Sequence, residues 1–525
     1  MKKGGEFVAA VDVGTTTLRC CLFDAEGALA ASAHSDIEIL RPTKGAAEMN
    51  PDRLWSGFVG TVKAAMNECG CDASQLKAMG ITCLRATFLT WDKRTEKPLH
   101  NFIVWEDERV TPVTKRYNRS WTLWLVNLVG AIVFFLTRSP KFALAKILRF
   151  TNVMVSMKVF WLLETFPKVR AAAEEGQLAL GLLDTWLLHR LSAGRLHVVE
   201  TTGASATALF DPFLFQWNVT LCRLFRFPYD ILPPVKETSG IFTRCDAGIF
   251  GASFPITAIM GDQQAAAFGC GCTEVGSLNI TLGTGTFIGL NSGTKPLSSH
   301  RTYNMYPTVF TALRGRRSFL VELKAHDTAA AVRWPVDVGL CTSLDEAERL
   351  AASVLDPGGV FFVPAFNGIQ LPRHDPFATA LFIGLKPTSG RAHLVRAVLE
   401  SVAFRLYQMY EALTNELGVR PTVIRCCGGV SRNDFVCQTI ADLLSRRLER
   451  VVNPNFAGAY GVGYLAGDVV DFWRPSIRSV SDFCPVECVF EPSAVSGAQL
   501  RTRYRRWVGA SERAKDWYDS AEVEP

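Results

Sequence analysis

The sequence predicts an α/β protein of two lobes with a cleft between them, and three observations carry that prediction. A chain of 525 residues with 48% hydrophobic content exceeds what one ordinary core holds. The stretch "FVAAVDVGTTTLRCCLFDAEG", Phe7 to Gly27, reads as strand, Gly-Thr turn, strand, and the same grammar returns in the second half as "SLNITLGTGTFIGLNSG". Strand patterns alternate with helical ones in both halves. Repeated grammar of this kind points to a duplicated α/β unit with a ligand between the copies. The lobe boundary is placed at Pro255, before "ITAIMGDQQ", giving lobes 1–254 and 255–525.

Phe7 to Asp12 is almost wholly apolar, as a strand buried on both faces must be. "TLRCCLF" and "ALAASAHSD" follow as second and third strands of a meander. Asn50 and Pro51 form a helix start ahead of "DRLWSGFVGTVKAAMNECG", where Trp55, Val59, Val62 and Met66 recur at helical spacing until Gly70 ends the run. "LKAMGITCL" is the next strand. In the second half a long helix is expected from Arg391 to Leu417, with Leu394, Val395, Val398, Val402 and Leu406 on one face and Gly418 at its end. "RCCGGVSRNDFVCQTIADLL" reads as strand, diglycine turn and helix, and the tail from Ala498 as a helix with a basic face.

Net charge is +6, without a Lys/Arg block long enough to serve as a nucleic-acid arm, so no nucleic-acid partner is expected. The start lacks a long apolar core of the secretory type, which gives a cytoplasmic expectation. Fifteen cysteines sit inside apolar segments without paired metal spacing, as buried reduced thiols do. One segment disturbs this picture. Trp121 to Thr137, "WTLWLVNLVGAIVFFLT", carries no charge and precedes the basic stretch "RSPKFALAKILRF". A buried helix is the expected reading, and peripheral membrane contact through 121–137 is the alternative that the basic flank supports.

The chemistry gathers at the turns. Small residues let backbone N–H groups approach phosphate oxygens, and threonine hydroxyls add donors, so Gly14, Thr15, Thr16 and Thr17, and again Gly283, Thr284 and Gly285, are candidate phosphate cradles. Asp12, at the strand tip, is a hard-oxygen partner for magnesium. Asp262, after an apolar strand and before an Ala/Gly-rich helix, is placed to accept the proton of an attacking hydroxyl, and Gln263 and Gln264 beside it suit a polar ligand. In "CCGGVSRND", Gly428 and Gly429 allow a flat base or ribose to lie against the backbone ahead of Asn433. Neither a GxxxxGK[ST] loop nor an HRD catalytic loop occurs, which excludes the two commonest kinase designs.

Taken together these motifs resemble the FGGY carbohydrate kinase family, and within it the glycerol kinases, from about Val8 to Trp473. "DPGGVFFVPAFNGIQLPRHDP", "LLDTWLLHRLSAGRLHVVETTGAS" and "LAGDVVDFW" extend the likeness, and "LRATFLTW" and "HNFIVWEDERV" look most like a divergent animal branch. The resemblance implies two RNase H-like, actin-like lobes closing on ATP and a polyol. It implies Asp12 and Asp262 near Mg2+, Thr15, Thr16 and Arg19 in the first phosphate loop, and Thr284 in the second. It puts Gly429 and Asn433 at the adenosine, Asp262 as catalytic base, and Arg85, Trp105 and Gln263 against glycerol. The product would be sn-glycerol 3-phosphate, with another small polyol or ketose, or a weakly active nucleotide-binding regulator, as alternatives. Homo-oligomer formation is left open.

Departures from the family pattern are as informative. The glycerol-binding arginine is usually followed by glutamate, whereas Ala86 follows Arg85, and the usual aromatic hydroxyl falls near Val153. Glu106 is the expected substitute, since it directly follows Trp105. Cys427 stands where aspartate usually precedes the diglycine, and Ala329 where a glycine approaches the nucleotide.

Overall fold

The structure is a computed structural model, and it describes residues 5–299, 305–370 and 375–518. Two sheets dominate it. In the first, the order is Ser239–Arg244, Pro255–Gly261, Leu76–Cys83, Phe7–Val13, Thr17–Phe23 and Leu29–Asp36. In the second it is Pro307–Leu313, Arg316–Ala325, Thr286–Gly293, Leu278–Leu282, Ile424–Cys427, Leu448–Val451 and Val486–Phe490.

Both sheets contain the same five-strand unit. Three neighbouring strands are antiparallel, and two further strands run parallel to the first of them; tight turns join all three in the first sheet, whereas in the second the added strand Pro307–Leu313 comes between Thr286–Gly293 and Arg316–Ala325 in the chain. The parallel additions need crossovers, and these are helices: Pro51–Cys69 in the first copy, Arg391–Leu417 and Asp434–Leu444 in the second. The duplication read from the hairpins is therefore a duplication of topology.

Local chemistry explains most elements. Asn50 accepts hydrogen bonds from the N–H groups of Asp52 and Arg53, Pro51 fits the first turn, and left-handed Gly70 (φ 72°) closes the helix. Its buried face is Leu54, Phe58, Val62 and Met66, so Trp55 and Val59 lie at the margin rather than in the centre as expected from spacing. The helix Arg391–Leu417 and its closing Gly418 form as read. The terminal helix starts earlier than expected and runs Ala494–Arg513.

The lobe boundary and the burial of the apolar helix are corrected. Pro255, taken as the start of the second lobe, opens a strand hydrogen-bonded to Leu76–Cys83 within the first sheet. The helix Ala457–Asp468, far on in the chain, packs back onto the first lobe against the helix Asp262–Gly269. Gly461 and Gly269 face the partner backbone there so closely that a Cβ at either would collide. The helix Trp121–Thr137 is not buried: Leu123 and Gly130 are its buried residues, while Trp121 is 81% and Leu136 73% exposed. Among the described residues no single helix is long and apolar enough to cross a membrane. Thr111–Asn118 and Trp121–Thr137 together have the length and apolar composition of a span, with a 51° bend between them. All fifteen cysteines are free thiols, most of them buried.

Candidate active site

One cavity of about 2070 Å³ lies between the two sheets. Asp12, the turns 14–17 and 283–285, Arg19, Arg85, Trp105, Asp262, Gln263, Gly428, Gly429 and Asn433 all line it. The structure thus brings together the residues that the sequence singled out for the site, with the exception of Gln264.

At the first loop, the Gly14 N–H donates to the Thr17 carbonyl at 3.0 Å, tightening the turn so that Thr15 and Thr16 face the cavity. Asp12 sits opposite Arg19 in the antiparallel register. Burial pushes the Asp12 carboxyl up to about 6, with the Arg19 guanidinium opposing this and the Asp262 charge adding to it. At the second loop, the Gly283 N–H donates to the Gly285 carbonyl at 3.0 Å, and a Cβ on Gly285 would lie 2.6 Å from the Ala325 carbonyl oxygen. Glycine is required there by space. At the diglycine turn Gly428 is left-handed (φ 91°), and Asn433 spends its side-chain oxygen on the Val436 N–H, capping the following helix. Cys427 Sγ lies 3.5 Å from Thr281 Oγ1, and the Ala329 N–H donates to the Thr284 carbonyl at 3.3 Å, so both departures from the family pattern sit in the cavity wall.

Between these loops lies a charged constellation. Asp262 is the first residue of its helix, with Gly261 at the cap, and its Oδ1 accepts the Gln263 N–H at 2.8 Å. Burial raises its pKa, and Arg85 works against that. Arg85 gives Nη1 and Nη2 to the two Glu322 oxygens at 2.6 and 3.1 Å and directs Nε toward Asp262 at 3.6 Å. Arg85 Nε and Gln263 Oε1 are buried without a hydrogen-bond partner, two polar atoms left for a ligand. Gln264, expected to face a polar ligand, is instead fully buried and donates to the Val309 carbonyl at 3.1 Å. Ala86 adopts a left-handed backbone (φ 55°), a strained conformation for a residue with a Cβ, and this turn follows directly on Arg85.

What holds Asp262 in place comes from further off. The Gly261 N–H donates to Thr202 Oγ1 at 2.7 Å, and Thr202 is bonded through both its hydroxyl and its N–H to Glu200, a buried acid pushed up to about 7 by burial. Trp105 forms another wall. Its Nε1 lies 3.4 Å from Thr15 Oγ1, its ring stacks on His326 at 5.9 Å, and the Lys324 ammonium sits 4.6 Å from its centroid. Burial and the nearby Arg85 push Lys324 down to about 8. Glu106 also lines the cavity and pairs with Arg41 at 2.9 Å.

Glu322, Lys324 and His326 were missed from the sequence. Their signal was present in "SFLVELKAHD", where polar residues at every second position mark one face of a strand, but nothing local told which cavity that face would meet.

Comparison with known proteins agrees with this fold. A model of the FGGY carbohydrate kinase N-terminal domain matches residues 7–127 and 138–269, and one of the C-terminal domain matches 278–467. The chain belongs to the FGGY family of carbohydrate kinases. Within the family, glycerol kinase 5 of Danio rerio is 39% identical over 519 residues, covering 98% of this chain and 97% of that protein. Glycerol kinase of Petrotoga mobilis is 33% identical over 516 residues, covering 98% and 99%. Plasmodium falciparum glycerol kinase, solved with ADP, superimposes with a TM-score of 0.83 at 25% identity, covering 97% of this chain and 98% of that one. The FGGY N-terminal match ends at 269, which agrees with the place of Pro255–Gly261 in the first sheet.

Proposed function

We propose that this FGGY kinase transfers the γ-phosphoryl group of ATP to a primary hydroxyl of glycerol, giving sn-glycerol 3-phosphate. The observation that carries the reading is the Asp262 carboxylate, with Arg85 Nε 3.6 Å from it and Gln263 Oε1 buried without a hydrogen bond, in one cavity with two glycine-threonine turns. Asp262 orients a polyol hydroxyl and accepts its proton as oxygen attacks phosphorus. Arg85 and Gln263 bind the neighbouring hydroxyls, and Trp105 lies along the carbon chain. Thr15, Thr16, Thr284 and the glycine N–H groups hold the phosphates, while Gly428, Gly429 and Asn433 support the adenosine. The Lys324 cation, absent from the sequence-level reading, adds positive charge to the wall.

Asp12 and Asp262 also suit Mg2+. Among the described residues no cluster of three or more ligating side chains exists, and two neighbouring half-buried carboxylates match the habit of magnesium, which uses one or two carboxylates and takes its other ligands from phosphate and water. When bound, the ion would neutralise charge on the transferred phosphoryl group.

ADP release with ATP and magnesium, measured for glycerol, dihydroxyacetone, xylulose and erythritol, tests the reading. Glycerol is expected to give the highest kcat/KM. Preference for another polyol would move the assignment to that substrate, as Ala86 and Val153 allow, and nucleotide binding without any ADP release would make the chain a regulator.

A pH experiment separates the role of Asp12 from its cost. Because its pKa is raised in the fold, the stability it contributes is present at low pH and is lost as pH rises through about 6. Asp12→Asn should therefore stabilise the nucleotide-free protein by about 3 kcal/mol at pH 8 and by about half of that at pH 5, while reducing turnover. Equal melting shifts at the two pH values would contradict the assigned charge.

A further inference from the structure

We infer that the polyol this site accepts best is a glycerol bearing one hydrocarbon chain, an alkyl- or acylglycerol, taken from an anionic bilayer on which the helix Trp121–Thr137 rests. The inference rests on the kinase reading above and narrows its substrate.

The cavity does not stop at the polyol end. Ligand sites usually enclose roughly 300–1,000 Å³, and this one, at about 2070 Å³, continues into a branch lined by Val126, Phe142, Leu148, Val153, Met154 and Leu221. The two regions adjoin. Thr308 Oγ1 lies 3.4 Å from the Glu322 oxygen that also holds Arg85, and two residues earlier the Tyr306 hydroxyl donates to the Ile147 carbonyl at 3.0 Å and accepts the Arg149 N–H at 3.1 Å. Three polar side chains of its lining are already engaged. Lys141 pairs with Asp211 at 2.7 Å, Asn218 accepts the Leu221 N–H at 3.0 Å, and Tyr306 is bonded as described. A hydroxylated extension of the substrate finds few partners there, whereas a hydrocarbon chain finds apolar walls. Ala86 and Val153, which take hydrogen-bonding side chains away from glycerol, stand in the same wall.

The helix above this branch faces both ways. Val126 enters the cavity, and Gly130 lies so close to the Pro140–Ala145 helix that a Cβ would come within 2.6 Å of the Lys146 nitrogen, which fixes the two segments together. On the outside Trp121, Trp124, Leu128, Ile132, Phe135 and Leu136 form an exposed stripe at helical spacing. The surroundings are basic: between Glu108 and Glu164 the chain has no carboxylate side chain and nine lysines and arginines. Among the described residues Arg119, Arg138 and Arg149 are exposed without an ion pair, and Arg138 and Lys146 lie 5.7 and 4.2 Å from the Phe134 ring. Exposed tryptophans, an apolar stripe and cations without acids are complementary to an anionic lipid surface. The family match is interrupted over 128–137, so much of the exposed stripe is an addition to the common FGGY pattern.

In the reaction, a free hydroxyl oxygen of the chain-bearing glycerol bonds to the γ-phosphorus of ATP, the β–γ bridging P–O bond breaks to release ADP, and the hydroxyl proton passes to Asp262. The test uses the full chain with ATP and magnesium, offering glycerol in solution and 1-O-dodecylglycerol in phosphatidylserine-containing vesicles. The expected kcat/KM for dodecylglycerol exceeds that for glycerol by about tenfold or more, and sedimentation carries the protein down with phosphatidylserine vesicles but not with neutral phosphatidylcholine. Leu148→Arg should lower the ratio of dodecylglycerol to glycerol turnover by about tenfold, and Leu136→Asp should release the protein from vesicles. Glycerol turned over as well as or better than dodecylglycerol, or a protein left in the supernatant by anionic vesicles, overturns the inference while leaving the kinase reading intact. ADP release with neither substrate removes the glycerol reading and this inference with it.

Discussion

Asp262→Asn should lower kcat by a factor of about 10² to 10⁴, the usual contribution of a positioned general base, with nucleotide affinity changed little. The substitution keeps the shape of the side chain and the acceptor for the Gln263 N–H, so the helix start is preserved and the lost element is the proton acceptor. The pH profile supplies the second readout. Burial raises the Asp262 pKa, so turnover of the parent protein should fall as pH drops through that raised value, because the protonated acid cannot accept the hydroxyl proton. In the asparagine variant that acid limb should vanish. Single-turnover ADP formation across pH measures both quantities, and a variant with full turnover would remove Asp262 from the chemistry.

Arg85→Met should cost about 3–5 kcal/mol of stability and reduce kcat/KM by a hundredfold or more. Arg85 and Glu322 are respectively 15% and 14% exposed in their side chains, and removing one partner strands the other charge in a poorly solvated place. The second loss is functional, since the Nε directed toward Asp262 disappears and Asp262 loses the cation that opposes its burial. Arg85→Lys should rescue little, because a single ammonium cannot reach both Glu322 oxygens while facing Asp262. Thermal unfolding and glycerol kinetics check the two losses separately, and a stable, active Arg85→Met protein would show that Glu322 needs no counter-charge. The double variant Arg85→Met/Glu322→Leu should regain much of the stability and none of the activity.

Much of the site was legible because its key residues lie at turns. A strand buried on both faces must be apolar throughout, so an acid at its tip, as with Asp12 and Asp262, stands out without any knowledge of neighbours. Glycine and threonine at 14–17 and 283–285 are visible for the same local reason. The lobe boundary was not legible: strand Pro255–Gly261 looks alike whichever sheet it joins, and only its pairing with Leu76–Cys83 decides. Composition also misled for Trp121–Thr137, since an uncharged apolar helix reads as core until its neighbours are known, and here they cover only one side.

The sequence by itself determined where the chain turns, which runs are strand or helix, that one α/β unit occurs twice, and the family to which the pattern belongs. These follow from side-chain periodicity and backbone preference, which act over a few residues. Tertiary structure alone decided that Glu322 grips Arg85 across 237 residues of chain, that Lys324 and His326 wall Trp105, and that an apolar branch opens beneath an exposed helix. Such pairings depend on which distant surfaces meet when the sheets assemble, a free-energy comparison among whole packings that no local stretch encodes.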